Sequence, residues 1–250
     1  MSVQLLRGGC NVNRNLRIDT RAGRFVLRQR ISEGPRPGAD SLREVACHRA
    51  AAAVGVAPAV LDTAPDGCWI LMDHIEGGMW TPMQLQAAEG LRSLGARLQR
   101  LHAITPPKDV AAFDPVSIAT AQAQAILERD PAAAAQVDTL VARTWQLAVD
   151  CAAFAATPVT THGDLNASNL VGPVPMLVDW EYAQLADPVY DLACLCVYYP
   201  GLRLRGEELL GAAGIADANG TVRLRLYTEL FGSLNRLWEK AQALRDLAQL

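Results

Sequence analysis

Lysine is nearly missing from this 250-residue chain: only Lys108 and Lys240 occur, and all other fixed positive charge is arginine. Neither lysine follows a glycine, so the Gly-Lys-Ser/Thr of a Walker A loop cannot be assembled. GxGxxG, HExxH and GxSxG are also absent. The six cysteines, at 10, 47, 68, 151, 194 and 196, contain no CxxC pair and no regular spacing. With no secretory leader in MSVQLLRGGCNVNRN, they read as free thiols, mostly buried, and not as a disulfide or zinc framework. The longest apolar stretches, Ala50–Leu61 and Leu192–Tyr199, are too short to span a bilayer. The formal charge is −3 and the pI about 5.8, which disfavours a nucleic-acid partner. A cytoplasmic protein with no membrane and no nucleic-acid partner is expected.

Half of the residues are apolar and a fifth are charged, the balance of a globular protein of one large or two small domains. Leu16 and Ile18 alternate with Asn15, Arg17 and Asp19, and Arg24–Ile31 follows a turn at Arg21–Gly23, so residues 3–31 read as strands with a hairpin. Ser41-Leu-Arg-Glu44 is a capping-box pattern opening a helix to about Val54. Val60–Asp62 and Cys68–Met72 are short strands around Pro65-Asp66-Gly67. Residues 1–75 therefore form a β-rich lobe, a small mixed sheet with one helix. After a hinge at Asp73–Gly78 the pattern turns helical: apolar residues at 85, 88, 91, 94, 98 and 101 predict one helix. Further helices are expected over 116–129, 132–156, 188–199, 206–213 and 221–247. The fold class is α+β, with a β-rich lobe over 1–75 and a larger helical lobe over 76–250.

The segment 159–180 breaks the helical pattern. It holds Thr161-His-Gly-Asp-Leu-Asn-Ala-Ser-Asn-Leu170, which contains H-x-D-L-x-x-x-N, and ten residues beyond Asn169 an apolar run ends in Asp179-Trp-Glu181. A kinase catalytic loop places a base Asp and a metal-binding Asn at this spacing, with a second metal-binding Asp after a short strand. The chemistry demands those types. A hydroxyl attacking a γ-phosphate must lose a proton to a carboxylate, and hard oxygen donors must hold Mg²⁺ against the triphosphate.

HGDLNASNL followed by LVDWEYAQLADPVYDLA resembles the choline/ethanolamine kinase and aminoglycoside phosphotransferase superfamily, closest to its bacterial choline kinase and thiamine kinase-like members. The likeness is strong over 161–193, moderate over 7–31 and loose elsewhere. It implies a bilobal protein-kinase-like fold with ATP between the lobes. It also implies Asp164 as catalytic base, Asn169 and Asp179 as magnesium ligands, His162 orienting the loop, and Asp187 and Asp191 holding the segment beyond. In the first lobe, Gly8, Gly9 and Asn13 lie in a stretch resembling the loop over the phosphates. Arg28 stands where kinases carry a strand lysine. Val26, on the same face of that strand, would meet adenine, together with the backbone from Asp73 to Ile75. Glu44 is the natural partner of Arg28. Gly8-Gly9 also reads as an ordinary turn, and Glu44 also as half of the capping box. His48 reads as a surface residue of its helix, His102 as a packed helix end, and His74 as part of the hinge.

Asp179 is followed at once by Ala186-Asp-Pro188 with no A-P-E, so the acceptor is a small molecule and not a peptide. Ten of the fourteen aromatic residues lie after position 144. One or two of Trp180, Tyr182, Tyr198, Tyr199, Tyr227 and Trp238 are expected to wall a pocket for an organic cation. Choline, ethanolamine or thiamine fits that expectation. Aminoglycosides or sugars, and a nucleotide-binding pseudokinase acting as a regulatory module, are the alternatives.

Overall fold

Alternating apolar and polar residues make one face of each early strand apolar, and the strands meet on that pattern. In the computed structural model, which describes residues 2–6, 13–31, 37–108 and 110–247, β1 (Ser2–Leu6), β2 (Asn13–Asp19) and β3 (Arg24–Arg30) form a meander. Leu16 pairs with Leu5 on one side and Leu27 on the other. A hairpin of β4 (Val60–Thr63) and β5 (Trp69–Asp73) completes the sheet in the order β1-β2-β3-β5-β4. Every pairing is antiparallel, and the sheet is not mixed, because the second strand of the hairpin, and not the first, lies against β3.

Helix α1 (Ser41–Ala53) crosses between β3 and β4. Its cap is Asp40, whose Oδ1 accepts from the Arg43 N–H at 2.8 Å, so Ser41 is the first helical residue and the expected Ser41–Glu44 capping box is not formed. Asp caps as well as Ser. With the cap one residue earlier, the Glu44 carboxylate faces Arg28 on the sheet and not the helix terminus.

The segment after β5 docks on the second lobe. Trp80 N–H donates to Leu170 O at 2.8 Å and Gly172 N–H to Gly78 O at 2.9 Å. Gly172 has φ +90°, and a Cβ there would lie 2.7 Å from Ile75 Cγ2, so this crossing requires glycine. The helix expected over 85–101 is broken in two, α2 (Pro82–Gln86) and α3 (Ala88–His102), by an extended Ala87 with ψ 146°. The apolar stripe survives the break because Leu85, Leu91, Leu94, Leu98 and Leu101 are all buried in one core.

The remaining helices are α4 (Pro115–Leu127), α5 (Ala134–Ala152), α6 (Val189–Tyr198), α7 (Gly206–Ala212) and α8 (Gly220–Leu247). Residues Val189–Cys196 of α6 are buried on every side, and α8 lies along it. Two short ribbons sit between α5 and α6: β6 (Val159–Thr161) with β9 (Gln184–Ala186), and β7 (Leu170–Val171) with β8 (Met176–Leu177). Cys47, Cys151, Cys194 and Cys196 are buried free thiols and Cys68 is half-buried; Cys10 lies outside the described residues. Among the described residues no helix is long and apolar enough to cross a membrane.

His48 departs from its expected surface position. It is 2 % exposed, its Nε2 lies 3.0 Å from Pro58 O, and its ring stacks on Trp180 at 6.1 Å. Trp180 in turn meets His162 at 4.8 Å, so three rings join α1 to the loop after β6. Burial, with Arg28 and His162 nearby, pushes the His48 pKa down to about 4. Folded His48 therefore stays neutral between about pH 6.5 and 4 while the unfolded chain takes up a proton. Stability is full above that window and falls as pH drops through it, by at most about 3 kcal/mol at 1.36 kcal/mol per pH unit. Urea unfolding from pH 7.5 to 4.5 should show this slope, and His48→Gln should flatten it; an unchanged slope in the variant would show that His48 does not titrate in the unfolding transition.

Candidate functional site

The polar segment 162–169 lies between β6 and β7, and two buried groups hold its backbone. Asp191, fully buried on α6, accepts from the N–H groups of His162 and Gly163 at 3.0 Å each, and its Oδ2 lies 3.1 Å from His102 Nε2. His102 thus packs at the end of its helix as expected, against a carboxylate. His162 Nε2 reaches Val178 O at 2.9 Å, tying the segment to the residue before Asp179. The Asp164 N–H lies 3.4 Å from His162 Nδ1, which makes Nε2 the donor and Nδ1 the acceptor. Asp187 accepts from Ala156 N–H and Val189 N–H and pairs with Arg223 at 3.3 Å, securing the turn into α6.

Asp164 projects from this frame into a cleft. Its Oδ1 accepts from Tyr198 Oη at 2.6 Å, and Asn169 Nδ2 donates to its Oδ2 at 3.2 Å and to its backbone oxygen at 2.8 Å. Burial raises its pKa above the ordinary carboxylate value; the Tyr198 hydrogen bond and His162 oppose this, and Asp179 and Glu181 add to it. Asp179 is the only described non-glycine residue with positive φ, 69°. Asp tolerates this region better than most residues, and such outliers collect at functional sites.

Arg28 enters from the sheet and joins the two lobes. Nη1 lies 2.5 Å from Glu44, and Nη2 lies 2.6 Å from Asp179 and 3.1 Å from Glu181. Burial works against its charge, but Asp179, Glu44 and Glu181 outweigh that and raise its pKa. Asn13 also reaches across, donating to Glu181 Oε2 at 3.0 Å. In the sequence Glu181 stands only as the last residue of Asp179-Trp-Glu181; that Asp-x-Glu spacing sends both carboxylates to the one Arg28 cation.

Asn169 and Asp179 are hard oxygen donors facing one cleft with a single negative charge between them, and Asp179 is partly open to solvent. No group of three or more His, Cys, Asp or Glu side chains forms a metal cage among the described residues. That donor set suits magnesium, which takes one or two protein ligands and completes its shell with water and phosphate.

The cleft encloses about 290 Å³, and Asn13, Asp164, Asn169 and Asp179 line it. Tyr182, Tyr190, Tyr198, Phe231 and Trp238 line it too, with Tyr198 against Asp164. Of the aromatics expected there, Tyr182, Tyr198 and Trp238 arrive. Trp180 is fully buried between the two histidines, Tyr227 packs edge-on to Tyr190, and the Tyr199 hydroxyl accepts from Ala167 N–H. Tyr190 and Phe231 were missed because neighbouring helices, not the local pattern, turn them to the cleft. Val26 lies outside this lining and packs with Ile70 and Met72. Asp73 and Ile75 also lie outside it, and the Asp73 N–H is taken by Ala59 O. Gly8 and Gly9 fall outside the described residues.

A search of curated proteins finds no match. Solved structures do match in fold. A choline/ethanolamine kinase family protein from Mesorhizobium loti superposes with a TM-score of 0.75 at 22% identity, covering 97% of this chain and 81% of that one. The choline kinase LicA from Streptococcus pneumoniae gives 0.77 at 18% identity, covering 98% and 86%. The ADP-bound aminoglycoside phosphotransferase APH(2'')-Ib gives 0.60 at 16% identity, covering 98% and 94%. These likenesses place the antiparallel sheet and helical lobe within the protein-kinase-like fold. The model of the phosphotransferase enzyme family (APH) matches residues 2–227, nearly the whole of this architecture. The chain therefore belongs to the phosphotransferase enzyme family.

Proposed function

We propose that the protein is an ATP-dependent kinase that phosphorylates a hydroxyl of a small organic cation of the choline, ethanolamine or thiamine type. The observation that carries this reading is that Asp164 shares one cleft with the oxygen donors Asn169 and Asp179 and with the rings of Tyr182, Tyr198 and Trp238. Asp164 takes the proton of the acceptor hydroxyl as that oxygen bonds to the γ-phosphorus. The bond from the γ-phosphorus to the β,γ-bridging oxygen breaks, and ADP departs with the bond's electrons. Bound magnesium, held by Asn169 and Asp179, would supply charge neutralisation at the phosphates. Arg28 presents a fork that can bridge carboxylate and phosphate oxygens. AMP and ADP occupy solved relatives, which supports a nucleotide here.

The cation preference rests on charge and aromatic faces. Asp164, Glu181 and Glu239 reach the cleft beside Tyr182, Tyr198 and Trp238. Such faces favour a desolvated ammonium by roughly 0.5–2 kcal/mol, a gain unavailable to a neutral sugar. ADP release at fixed MgATP with choline, ethanolamine, thiamine, a neutral hexose and kanamycin tests the reading. The highest kcat/KM is expected for one of the first three; a winning hexose or kanamycin would move the protein to sugar or aminoglycoside phosphorylation.

Arg28 offers a separate test. Arg28→Ala should weaken ATP binding more than adenosine binding, because only the phosphates lose a partner. Combined with Glu44→Gln, it should show a coupling of about 0.5–3 kcal/mol in calorimetric ATP affinity, the range for residues in one ion-pair network. Strictly additive effects would restrict Glu44 to a structural part in α1.

A further inference from the structure

Helix α6 holds the loop that carries Asp164 at several points. Asp191 takes the His162 and Gly163 N–H groups, Cys194 Sγ lies 3.6 Å from Gly163 O, and the Tyr199 hydroxyl takes the Ala167 N–H at 2.8 Å. Those contacts are to backbone. Tyr198, two turns beyond Asp191 on the same side of the helix, reaches a side chain instead: its hydroxyl donates to Asp164 Oδ1 at 2.6 Å. Asn169 Nδ2 meets the other oxygen, Oδ2, at 3.2 Å. One hydrogen bond leaves a carboxylate free to turn about its terminal torsion, which is broad for aspartate. Partners on both oxygens fix its plane. A carboxylate can accept about four hydrogen bonds, so both oxygens keep room for an acceptor hydroxyl. The anchor is rigid: Val189–Cys196 are buried, and the Tyr198 ring meets Phe231 of α8 at 5.6 Å, tilted by 69°.

We infer that Tyr198 is a positioning residue for phosphoryl transfer: its O–H sets the plane of the Asp164 carboxylate so that an oxygen of the base faces the acceptor hydroxyl. The ring has a separate part, since it lines the cleft whether or not it carries a hydroxyl. Alignment counts most as the proton moves, when acceptor oxygen, base and γ-phosphorus must be in place together. The hydroxyl therefore acts on kcat, and the ring on acceptor binding. The acceptor's proton goes to Asp164, and Tyr198 keeps its own. This inference rests on Asp164 being the base, as proposed above.

Tyr198→Phe removes the O–H and keeps the ring. It is compared with Asp164→Asn and with the double variant, using the alcohol of highest kcat/KM in the panel above. If no alcohol is turned over, the slow hydrolysis of MgATP is read instead, with water in the acceptor's place. Tyr198→Phe should lower kcat by roughly 10- to 100-fold, the range for a hydrogen bond to a charged group and for a base misplaced by about 1 Å. Acceptor KM and calorimetric MgATP affinity should be unchanged. In the Asp164→Asn background the second substitution should change kcat by less than about twofold, because no base is left to align. A general defect of folding would slow the Asp164→Asn protein as well. A Tyr198→Phe protein within about twofold of the parent in kcat overturns this inference alone. So does a rise in acceptor KM with kcat unchanged, which would make the hydroxyl a binding group, and so does an equal loss in both backgrounds, which would set it apart from the base. If Asp164→Asn itself turns over near the parent rate, the base assignment fails and this inference with it. If neither an alcohol nor water takes the phosphoryl group, the kinase reading fails and this inference with it.

Discussion

Asp164→Asn should turn over about 10²–10⁴-fold more slowly than the parent while binding MgATP with unchanged affinity. The asparagine keeps the size of the side chain, and its Oδ1 can still accept from Tyr198 Oη, which lies 2.6 Å from the aspartate oxygen. What it loses is the proton acceptor. Burial, with Asp179 and Glu181 close by, raises the Asp164 pKa above the ordinary carboxylate value, which strengthens it as a proton acceptor. Asn13, Asn169 and Asp179 line the cleft beside Asp164, Arg28 pairs with Asp179, and none of them changes. The loss should therefore fall on kcat, with ATP affinity by calorimetry as the control. A loss smaller than about tenfold lies below the range for general-base assistance and would remove Asp164 as the base.

Gly163→Ala should damage both fold and turnover. Gly163 has φ +80°, and a Cβ there would sit 2.2 Å from the backbone oxygen of Tyr182. That atom cannot rotate away. Left-handed backbone alone costs a non-glycine residue about 1–2 kcal/mol, and the clash adds to it. The glycine N–H is also bonded to buried Asp191, so the loop cannot shift without breaking that contact. At about 2–4 °C per kcal/mol for a chain of this size, a thermal midpoint lower by roughly 5–15 °C is expected. Asp164 is the next residue, and misplacement by about 1 Å can cost 10²-fold in rate. Gly78→Ala separates the two causes. It has φ +73° with nothing within 4 Å of the added Cβ, so it carries the backbone cost alone and should show a clearly smaller fall in midpoint. Equal falls for both glycines would mean that the Tyr182 contact is not tight.

The spacing of His162, Asp164, Asn169 and Asp179 is legible because the loop and the strands flanking it are local. A fixed number of residues separates these side chains whatever the rest of the chain does, and the structure brings the four together. Arg28 is legible through the resemblance, which sets it where kinases carry a strand lysine; the lack of lysine before position 108 says only that a cation from this lobe is an arginine. The misread positions share one feature: their environment comes from residues far away in the chain. His48 resembles any polar residue on an alanine-rich helix, and only Trp180 and Pro58, brought up by folding, make it buried and neutral. Ala87 has high helix propensity, yet tertiary packing turns the chain there. Asp40 takes the cap from Ser41 because both are good caps and one residue of register decides between them.

From residue order alone came the α+β division, the change from strands to helices near residues 73–78, the phosphotransfer motif and the lack of a Walker A loop. Each follows from periodicity, composition or spacing over a few residues. Folding alone decided which aromatics line the cleft, because helical spacing cannot say which neighbour a ring meets. It alone turned Glu181 and Asn13 toward each other across 168 positions of sequence. Hydrogen-bond satisfaction is a property of the packed interior, where partners come from distant segments and water is excluded.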